Sequence, residues 1–182
     1  MTTNYAGTYA IDPTHTNVEF SVKHLMISTV KGRFSDVTGT IEIPTVGQPS
    51  VTVTIGAASI DTRTDARDTH LRSADFFDVE HYPQLRFVSS RTERTDGGYT
   101  LVGDLTIRDT TRPVTLMVTE EGAGVDPWGN EKVAFTATGK IRRGDFGLTW
   151  NAALEAGGVL VGEDVKITID AQLVKQSAAR AA

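Results

Sequence analysis

The segment from Lys132 to Ile141 alternates strictly between two kinds of position. Val133, Phe135, Ala137, Gly139 and Ile141 fall on one face of an extended strand, and mostly lysine and threonine fall on the other. This period predicts a half-buried β-strand. Because two inward positions carry almost no side-chain volume, the buried face has gaps as well as bulk, which is what a strand beside an internal hole needs.

The same alternation recurs along most of the chain. It predicts strands near residues 5–11, 16–23, 30–43, 50–60, 85–94, 98–108, 112–121, 131–142 and 163–174. The phase slips between Phe34 and Val37, which predicts a bulge near Ser35 and Asp36. Small residues recur on the apolar side of these strands, namely Ala57, Ser59, Gly103, Ala137, Gly139 and Ala171.

A single helical segment, from about Thr64 to Ser73, interrupts the strands. No further amphipathic helices are available to cover the sheet, so it must bury its apolar face against itself. We therefore predict an all-β fold, an antiparallel up-and-down β-barrel of about eight strands with one or two short helices. A β-sandwich is the alternative, because the same alternation serves both. Small inward residues favour a barrel whose lumen holds one small ligand.

Length and composition narrow the function classes. The 182 residues predict a single domain, with residues 1–8 and 175–182 as frayed termini. Eighteen basic and 23 acidic residues give a formal charge of −5, and no basic cluster occurs, which argues against nucleic acid and anionic membranes as partners. The chain has no cysteine. It shows no transmembrane segment and no export leader, so we expect a cytoplasmic location.

Catalytic and metal-binding motifs are missing from the sequence. The four histidines lack the spacing that places two imidazoles on one metal, and no nucleophile elbow, phosphate loop or dinucleotide fingerprint occurs. We therefore expect no enzyme activity, no metal and no cofactor. The tripeptide Arg143–Asp145 matches an adhesion motif, but three residues recur by chance.

Two features suggest a binding site. The long connection 143–162 contains several apolar side chains, including Trp150, and is either a lid or an irregular hairpin packed on the barrel. Arg33, Arg67 and His70 fall near the adjacent Phe76 and Phe77, as either a helix-to-barrel anchor or a polar mouth for a ligand head group. His24, at the end of a strand, is a further candidate for a rim position.

The chain resembles the YceI-like, or polyisoprenoid-binding, family. The matching stretches are Tyr9–His15, Val18–His24, Gly32–Phe34, Ser59–Thr62, Arg67–Ser73, Asp75–Asp78, Tyr82–Pro83, Gly103–Ile107 and Asp145–Gly147. The resemblance implies a lipocalin-like barrel whose interior holds an elongated polyisoprenoid, and it brings no catalytic residues. The sequence departs from the family pattern at Asp109–Thr111, where the family usually has Gly-Val-Thr. The resemblance also makes a homodimer plausible, and many relatives are periplasmic.

From the pattern and the resemblance together we expect a protein that binds, carries or sequesters a lipid such as a quinone tail or a polyprenyl phosphate. The predicted ligand-binding residues are Phe20, Val22, His24, Arg33, Phe34, Val53, Ile55, Arg67, His70, Phe76, Phe77, Phe87, Leu101, Leu105, Leu116, Phe135, Ile141 and Trp150. One alternative is an enzyme that acts on a small amphiphile, with His24 or His70 as a base. The other is a barrel filled by its own side chains that serves as a protein-interaction module.

Overall fold

The structure, a computed structural model, describes residues 5–153 and 158–177, and strands dominate it. The elements are β1 (Gly7–Ile11), β2 (Asn17–His24), β3 (Ser28–Phe34), β4 (Val37–Ile43), β5 (Ser50–Gly56), β6 (Ile60–Asp61), α1 (Asp65–Arg72), β7 (Gln84–Thr95), β8 (Gly98–Ile107), β9 (Thr110–Val125), β10 (Glu131–Arg142) and β11 (Val161–Lys175). Short 3₁₀ turns cover Ala57–Ser59 and Arg143–Phe146.

The strands close into a barrel with eight positions. The order β1-β4-β5-β7-β8-β9-β10-β11 returns to β1, and every pairing is antiparallel. At three of the eight positions two strands lie end to end. β2 continues the position of β1, β3 continues that of β4, and β6 continues that of β5. Consecutive strands therefore pair around the ring, which confirms the predicted up-and-down barrel. The prediction of a single bulged strand over 30–43 is wrong, since β3 ends at Phe34 and β4 begins at Val37, and the two strands pair with different neighbours.

Helix α1 is fixed across one end of the barrel. Asp68, only 5% exposed, accepts a hydrogen bond from the Thr62 backbone N–H at 2.9 Å. Arg72 donates to the carbonyls of Ala58 at 2.8 Å and Ile60 at 2.7 Å. These bonds satisfy backbone groups where the short β6 leaves the sheet, and they hold the helix against it.

Aromatic rings fill the barrel interior beneath α1. Phe20 packs on Phe34 with ring centroids 5.8 Å apart, and Phe34 packs edge-on against Phe77 at 5.7 Å. We call Phe20, Phe34 and Phe77 the aromatic plug. A Cβ atom at Gly32 would lie 2.4 Å from the Phe20 ring, so glycine at this position makes room for the plug.

Asp12 joins the corner between β1 and β2 to strands β10 and β11. Its carboxylate accepts hydrogen bonds from the Thr14 hydroxyl at 2.6 Å, Lys132 Nζ at 3.1 Å and Gln172 Nε2 at 3.1 Å. The Thr14 hydrogen bond, helped by Lys132, holds the pKa of Asp12 well below its usual value, although burial opposes this.

We expect Asp12→Asn to lower the free energy of unfolding at pH 7 by about 1–3 kcal/mol, because hydrogen bonds to a charged acceptor are lost. Since folding lowers the pKa of Asp12, the carboxylate contributes stability above about pH 4 and loses it as the pH falls through the depressed folded value. Urea unfolding at several pH values checks this. The gap between the two proteins should narrow on acidification, and a gap that stays constant down to about pH 2 would contradict the assignment.

Candidate functional site

A cavity of about 260 Å³ occupies the half of the barrel that α1 does not cover. Apolar side chains from strands all around the ring line it, and the polar groups are two threonines and two tyrosines. None of the described residues that line it carries a carboxylate, imidazole, guanidinium or ammonium group. The lining consists of Tyr5, Ile11, Thr16, Val18, Val37, Ile41, Ile43, Pro49, Val51, Val53, Ile55, Phe87, Thr92, Tyr99, Leu101, Leu105, Leu116, Val118, Phe135, Ala137, Ile167, Ile169, Ala171 and Leu173.

The cavity has a floor and a mouth. Near the plug its lining is buried, as at Val37 and Leu105. At the other end the lining residues Tyr5, Ile43, Pro49, Thr92 and Tyr99 are partly exposed, and we call this ring the mouth. Ile41 and Leu173, which lie next to this ring, are buried together with Tyr9 and Val133. The mouth is therefore the partly exposed end of the cavity, opposite α1, and the plug lies at the other end.

The small inward residues divide into two groups. Ala137 and Ala171 line the cavity. In contrast, a Cβ atom at Gly139 would lie 2.6 Å from the Leu116 side chain, and one at Gly103 would lie 2.4 Å from the Phe87 ring. At Gly139 the side chain of Leu116, itself a lining residue, occupies the space that the missing side chain leaves.

The predicted apolar ligand residues also divide. Seven of them line the cavity, namely Val53, Ile55, Phe87, Leu101, Leu105, Leu116 and Phe135. Phe20, Phe34, Phe77 and Ile141 pack in the core instead and do not line it. Val22, paired with Val30 and Val165, lies towards the α1 end and also makes no contribution to the lining.

The predicted polar residues lie at the α1 end, away from the mouth. Arg33 donates to the Asp61 carboxylate at 3.2 Å. Arg67 donates to the Thr62 hydroxyl at 2.7 Å and to the Thr62 carbonyl at 2.8 Å. These contacts fit the interpretation as a helix-to-barrel anchor. His24 ends β2 at the same end of the barrel and pairs with Ser28.

His70 belongs to an aromatic group outside the cavity. Its Nε2 atom lies 2.8 Å from the Asp75 carboxylate. Its ring meets Trp150 edge-on at 4.6 Å and Phe76 edge-on at 5.1 Å. Phe76 is 7% exposed, so this group seals the α1 end of the barrel.

Arg143 ties down the connection after β10. The side chain is buried, and it donates to the carbonyls of Gly162 and Trp150, each at 2.9 Å, and to the Glu163 carboxylate at 3.1 Å. It also donates to the Leu148 carbonyl. The described part of this connection is therefore an irregular hairpin packed on the barrel. Because Arg143 is buried, its side chain is not available to an adhesion receptor. Residues 154–157, which include part of the predicted lid, lie outside the described residues.

Several lining residues escaped prediction although they alternate in the same strands. They include Val37, Ile41, Val51, Tyr99, Val118, Ile167, Ile169 and Leu173. Their inward phase was readable in the sequence. Which end of the barrel stays open was not, so the predicted set mixed residues from the cavity with residues from the plug.

Neither a metal site nor a membrane-spanning helix is present in the described parts of the chain. Residues 5–153 and 158–177 bring no three histidine, aspartate or glutamate side chains into an arrangement that would hold a metal ion. None of their helices has the length and apolar character that crossing a bilayer requires.

The family of the protein follows from sequence comparison. A YceI-like domain matches residues 9–173, nearly the whole barrel. The chain belongs to the YceI-like family. A UPF0312 protein of Serratia proteamaculans is 42% identical to this YceI-like protein over 148 residues, covering 79% of this chain and 77% of the relative. A UPF0312 protein of Staphylococcus aureus is 37% identical over 167 residues, covering 90% and 95%.

Solved structures show the same fold. The YceI protein of Campylobacter jejuni has a TM-score of 0.72 at 31% identity, covering 85% of this YceI-like protein and 90% of that chain. BcnA of Burkholderia cenocepacia has a TM-score of 0.75 at 24% identity, covering 89% and 98%. A polyisoprenoid binding domain from Saccharophagus degradans has a TM-score of 0.67 at 15% identity, covering 92% and 98%, and this likeness concerns the fold alone.

Proposed function

We propose that this YceI-like protein binds one elongated apolar lipid, of the polyisoprenoid class, with its chain in the barrel cavity and its other end at the mouth. The observation that carries the proposal is the cavity itself, which has no charged lining residue and whose lining is partly exposed at the mouth. Such a space accepts a hydrocarbon chain, and its two threonines and two tyrosines are the only polar side chains that the described lining offers to a polar metabolite. The name of the Saccharophagus degradans domain agrees with this ligand class.

Cavity volume limits how much of the chain is enclosed. An apolar cavity of about 150 Å³ holds one benzene molecule, so about 260 Å³ corresponds to about ten carbon atoms, or about two isoprene units. Each buried methylene contributes at most about 0.8 kcal/mol before ordering costs. A longer chain therefore leaves its remaining units at or beyond the mouth, and selectivity among apolar chains of similar width is weak.

We expect affinity to rise steeply with chain length only while the cavity is filling. Going from a five-carbon to a ten-carbon isoprenoid alcohol should tighten binding by at least about tenfold, because about five more carbons leave water. Going from ten to twenty carbons should tighten binding by clearly less per carbon. Calorimetric titration at concentrations below micelle formation measures the series. A constant gain per carbon over the whole series would contradict a cavity of this size.

The proposal as a whole is tested on the protein as purified. Denaturing extraction followed by mass spectrometry identifies long-chain lipids that copurify with the protein. We expect an isoprenoid lipid in the extract, and we expect added isoprenoid to raise the melting temperature of delipidated protein. If no such lipid is recovered and added isoprenoid neither binds nor stabilises, the proposal is wrong.

An enzyme that acts on an amphiphile in the same cavity is less well supported. The pair of His70 and Asp75 has the geometry of a base and its orienting carboxylate, with 2.8 Å between them. However, the pair lies at the α1 end, and the aromatic plug separates that end from the cavity. A substrate chain in the cavity would meet Phe34 and Phe77 before it reached His70.

A barrel filled by its own side chains accounts for only half of the interior. The plug and its neighbours do fill the end beneath α1. The other end contains a second buried cluster of Tyr9, Ile41, Val133 and Leu173, with the apolar cavity beside it. An interaction module without a ligand leaves that cavity unexplained. Bound lipid is the occupant that an apolar space of this kind favours.

A further inference from the structure

Two exposed apolar tips stand at the mouth end of the barrel. Trp128 is 83% exposed in the turn between β9 and β10, and the adjoining Val125 is 67% exposed. Val46 is 88% exposed in the turn between β4 and β5. Single exposed apolar side chains are common on protein surfaces, and Ile27 is 82% exposed at the opposite end, so exposure by itself does not mark a contact surface. The two tips are distinguished by the tryptophan and by their position at the mouth end.

The two tips lie on opposite sides of the mouth. In the ring order, β7 and β8 separate the two hairpins on one side, and β11 and β1 separate them on the other. The β9–β10 hairpin also extends past the lining, because β10 begins at Glu131, two residues and about 7 Å of strand before Val133, which pairs with the lining residue Leu173. A partner that contacts both tips must therefore span the opening.

The turn that carries Trp128 is held in place by hydrogen bonds. The Asp126 carboxylate accepts from the backbone N–H of Trp128 at 3.0 Å and of Asn130 at 2.9 Å, and from the Asn130 side chain at 2.8 Å. The Asp126 carbonyl accepts from the Gly129 N–H at 3.0 Å. The Asn130 side-chain bond holds the pKa of Asp126 below its usual value, because the bond stabilises the charged carboxylate. Trp128 is thus presented to water by a fixed turn.

We propose that the mouth end docks on a neutral, zwitterionic lipid bilayer, with Trp128 and Val46 seated among the head groups on either side of the opening. The inference rests on the proposed lipid-binding function, and it identifies where the ligand enters and leaves. Tryptophan prefers the boundary between head groups and acyl chains, because its ring is apolar and its N–H is polar. A bilayer is also broad enough to meet both tips at once.

Charge and cavity size favour this partner. Near Trp128 the hairpin carries Glu120, Glu121, Asp126 and Glu131 against one cation, Lys132, which lies 3.7 Å from Asp126. With a net charge of −5 on the chain, an anionic surface would repel this end. The cavity encloses only about two isoprene units. With the mouth against a bilayer, the rest of a long chain stays in hydrocarbon and is not exposed to water.

Flotation with phosphatidylcholine vesicles tests the docking. We expect the native protein to float with the vesicles and the double variant Trp128→Ser, Val46→Ser to lose at least tenfold in partition. Ile27→Ser is the matched control, because Ile27 is 82% exposed in the β2–β3 turn at the opposite end of the barrel. Its partition should stay within twofold of the native value.

Three results would overturn the proposal. They are no flotation of the native protein, an equal loss in the Ile27→Ser control, and flotation that requires anionic lipid and ignores the tip substitutions. A ten-carbon isoprenoid alcohol added in ethanol, without vesicles, separates this test from the proposed function. We expect the double variant to bind it as tightly as the native protein. Failure of flotation with this binding intact removes only the docking, whereas absence of binding in the native protein removes the lipid-binding function.

Discussion

Replacing Ala171 by phenylalanine is expected to weaken isoprenoid binding at least tenfold while the barrel stays folded. Ala171 on β11 lines the cavity and pairs with Phe135, another lining residue. A phenyl ring at this position takes up a large share of about 260 Å³ and displaces several carbons of the ligand chain. Each displaced carbon removes up to about 0.8 kcal/mol, and a factor of ten in affinity requires only about 1.4 kcal/mol.

Stability should change little in this variant. Phenylalanine in a packed core costs about 1–3 kcal/mol through overpacking, but here the ring enters space that is empty in the protein alone. We expect the free energy of unfolding to stay within about 1 kcal/mol of the native value. Urea unfolding and titration with a ten-carbon isoprenoid alcohol measure the two effects on the same preparations.

Thr168→Phe is the matched control for Ala171→Phe. Thr168 lies on the same strand three residues away, faces outward and is exposed. The same side chain at this position leaves the cavity untouched, so affinity should stay within twofold. Undiminished binding in Ala171→Phe, or an equal loss in Thr168→Phe, would mean that the ligand does not occupy the cavity.

Arg143→Met is expected to destabilise the fold by about 3–5 kcal/mol. The Arg143 guanidinium is 4% exposed and satisfies carbonyls of Leu148, Trp150 and Gly162 on both arms of the connection between β10 and β11. Methionine fills much of the same volume but donates nothing. The three carbonyls would therefore lose their hydrogen-bond donor together. Each carbonyl that water cannot reach lowers the free energy of unfolding by about 1–3 kcal/mol.

Arg142→Met provides the comparison for Arg143→Met. Arg142 is the preceding residue, and its exposed side chain lies at the end of β10. The same arginine-to-methionine change there does not disturb the buried hydrogen bonds of Arg143. We expect an effect within about 0.5 kcal/mol for Arg142→Met in urea unfolding. Similar losses in the two variants would show that the buried hydrogen bonds of Arg143 do not stabilise the connection.

The barrel was predictable from the sequence because the alternation within each strand shows which side chains face inward. Alternation such as that of Lys132–Ile141 can be recognised without knowing which strand pairs with it. Because no helices are available to cover the sheet, the sheet must close on itself to bury its apolar face. The phase slip after Phe34 was readable too, but it predicted a bulge within one strand, whereas the structure has two strands there. These signals are local, so they remain readable in a single sequence.

The position of the cavity was not predictable, because inward and outward side chains alternate in the same way at both ends of a barrel. Phe34 and Leu101 alternate inward in the same way, yet one belongs to the plug and the other to the lining. What distinguishes them is Phe77, which comes from a segment after α1 and packs on Phe34 from outside the strand pattern. Gly139 shows the same limit, because the space it leaves is filled by Leu116 from the neighbouring strand.

The most direct test is to locate a bound chain inside the crystallised protein. A ten-carbon isoprenoid alcohol that carries bromine at its hydrocarbon end gives an anomalous signal at the position of that end. We predict one bromine peak on the floor of the cavity, among Val37, Ile55 and Leu105, with the hydroxyl directed towards Tyr99 and Pro49 at the mouth. A peak outside the barrel, or at the α1 end beside His70 and Trp150, would contradict the proposed function.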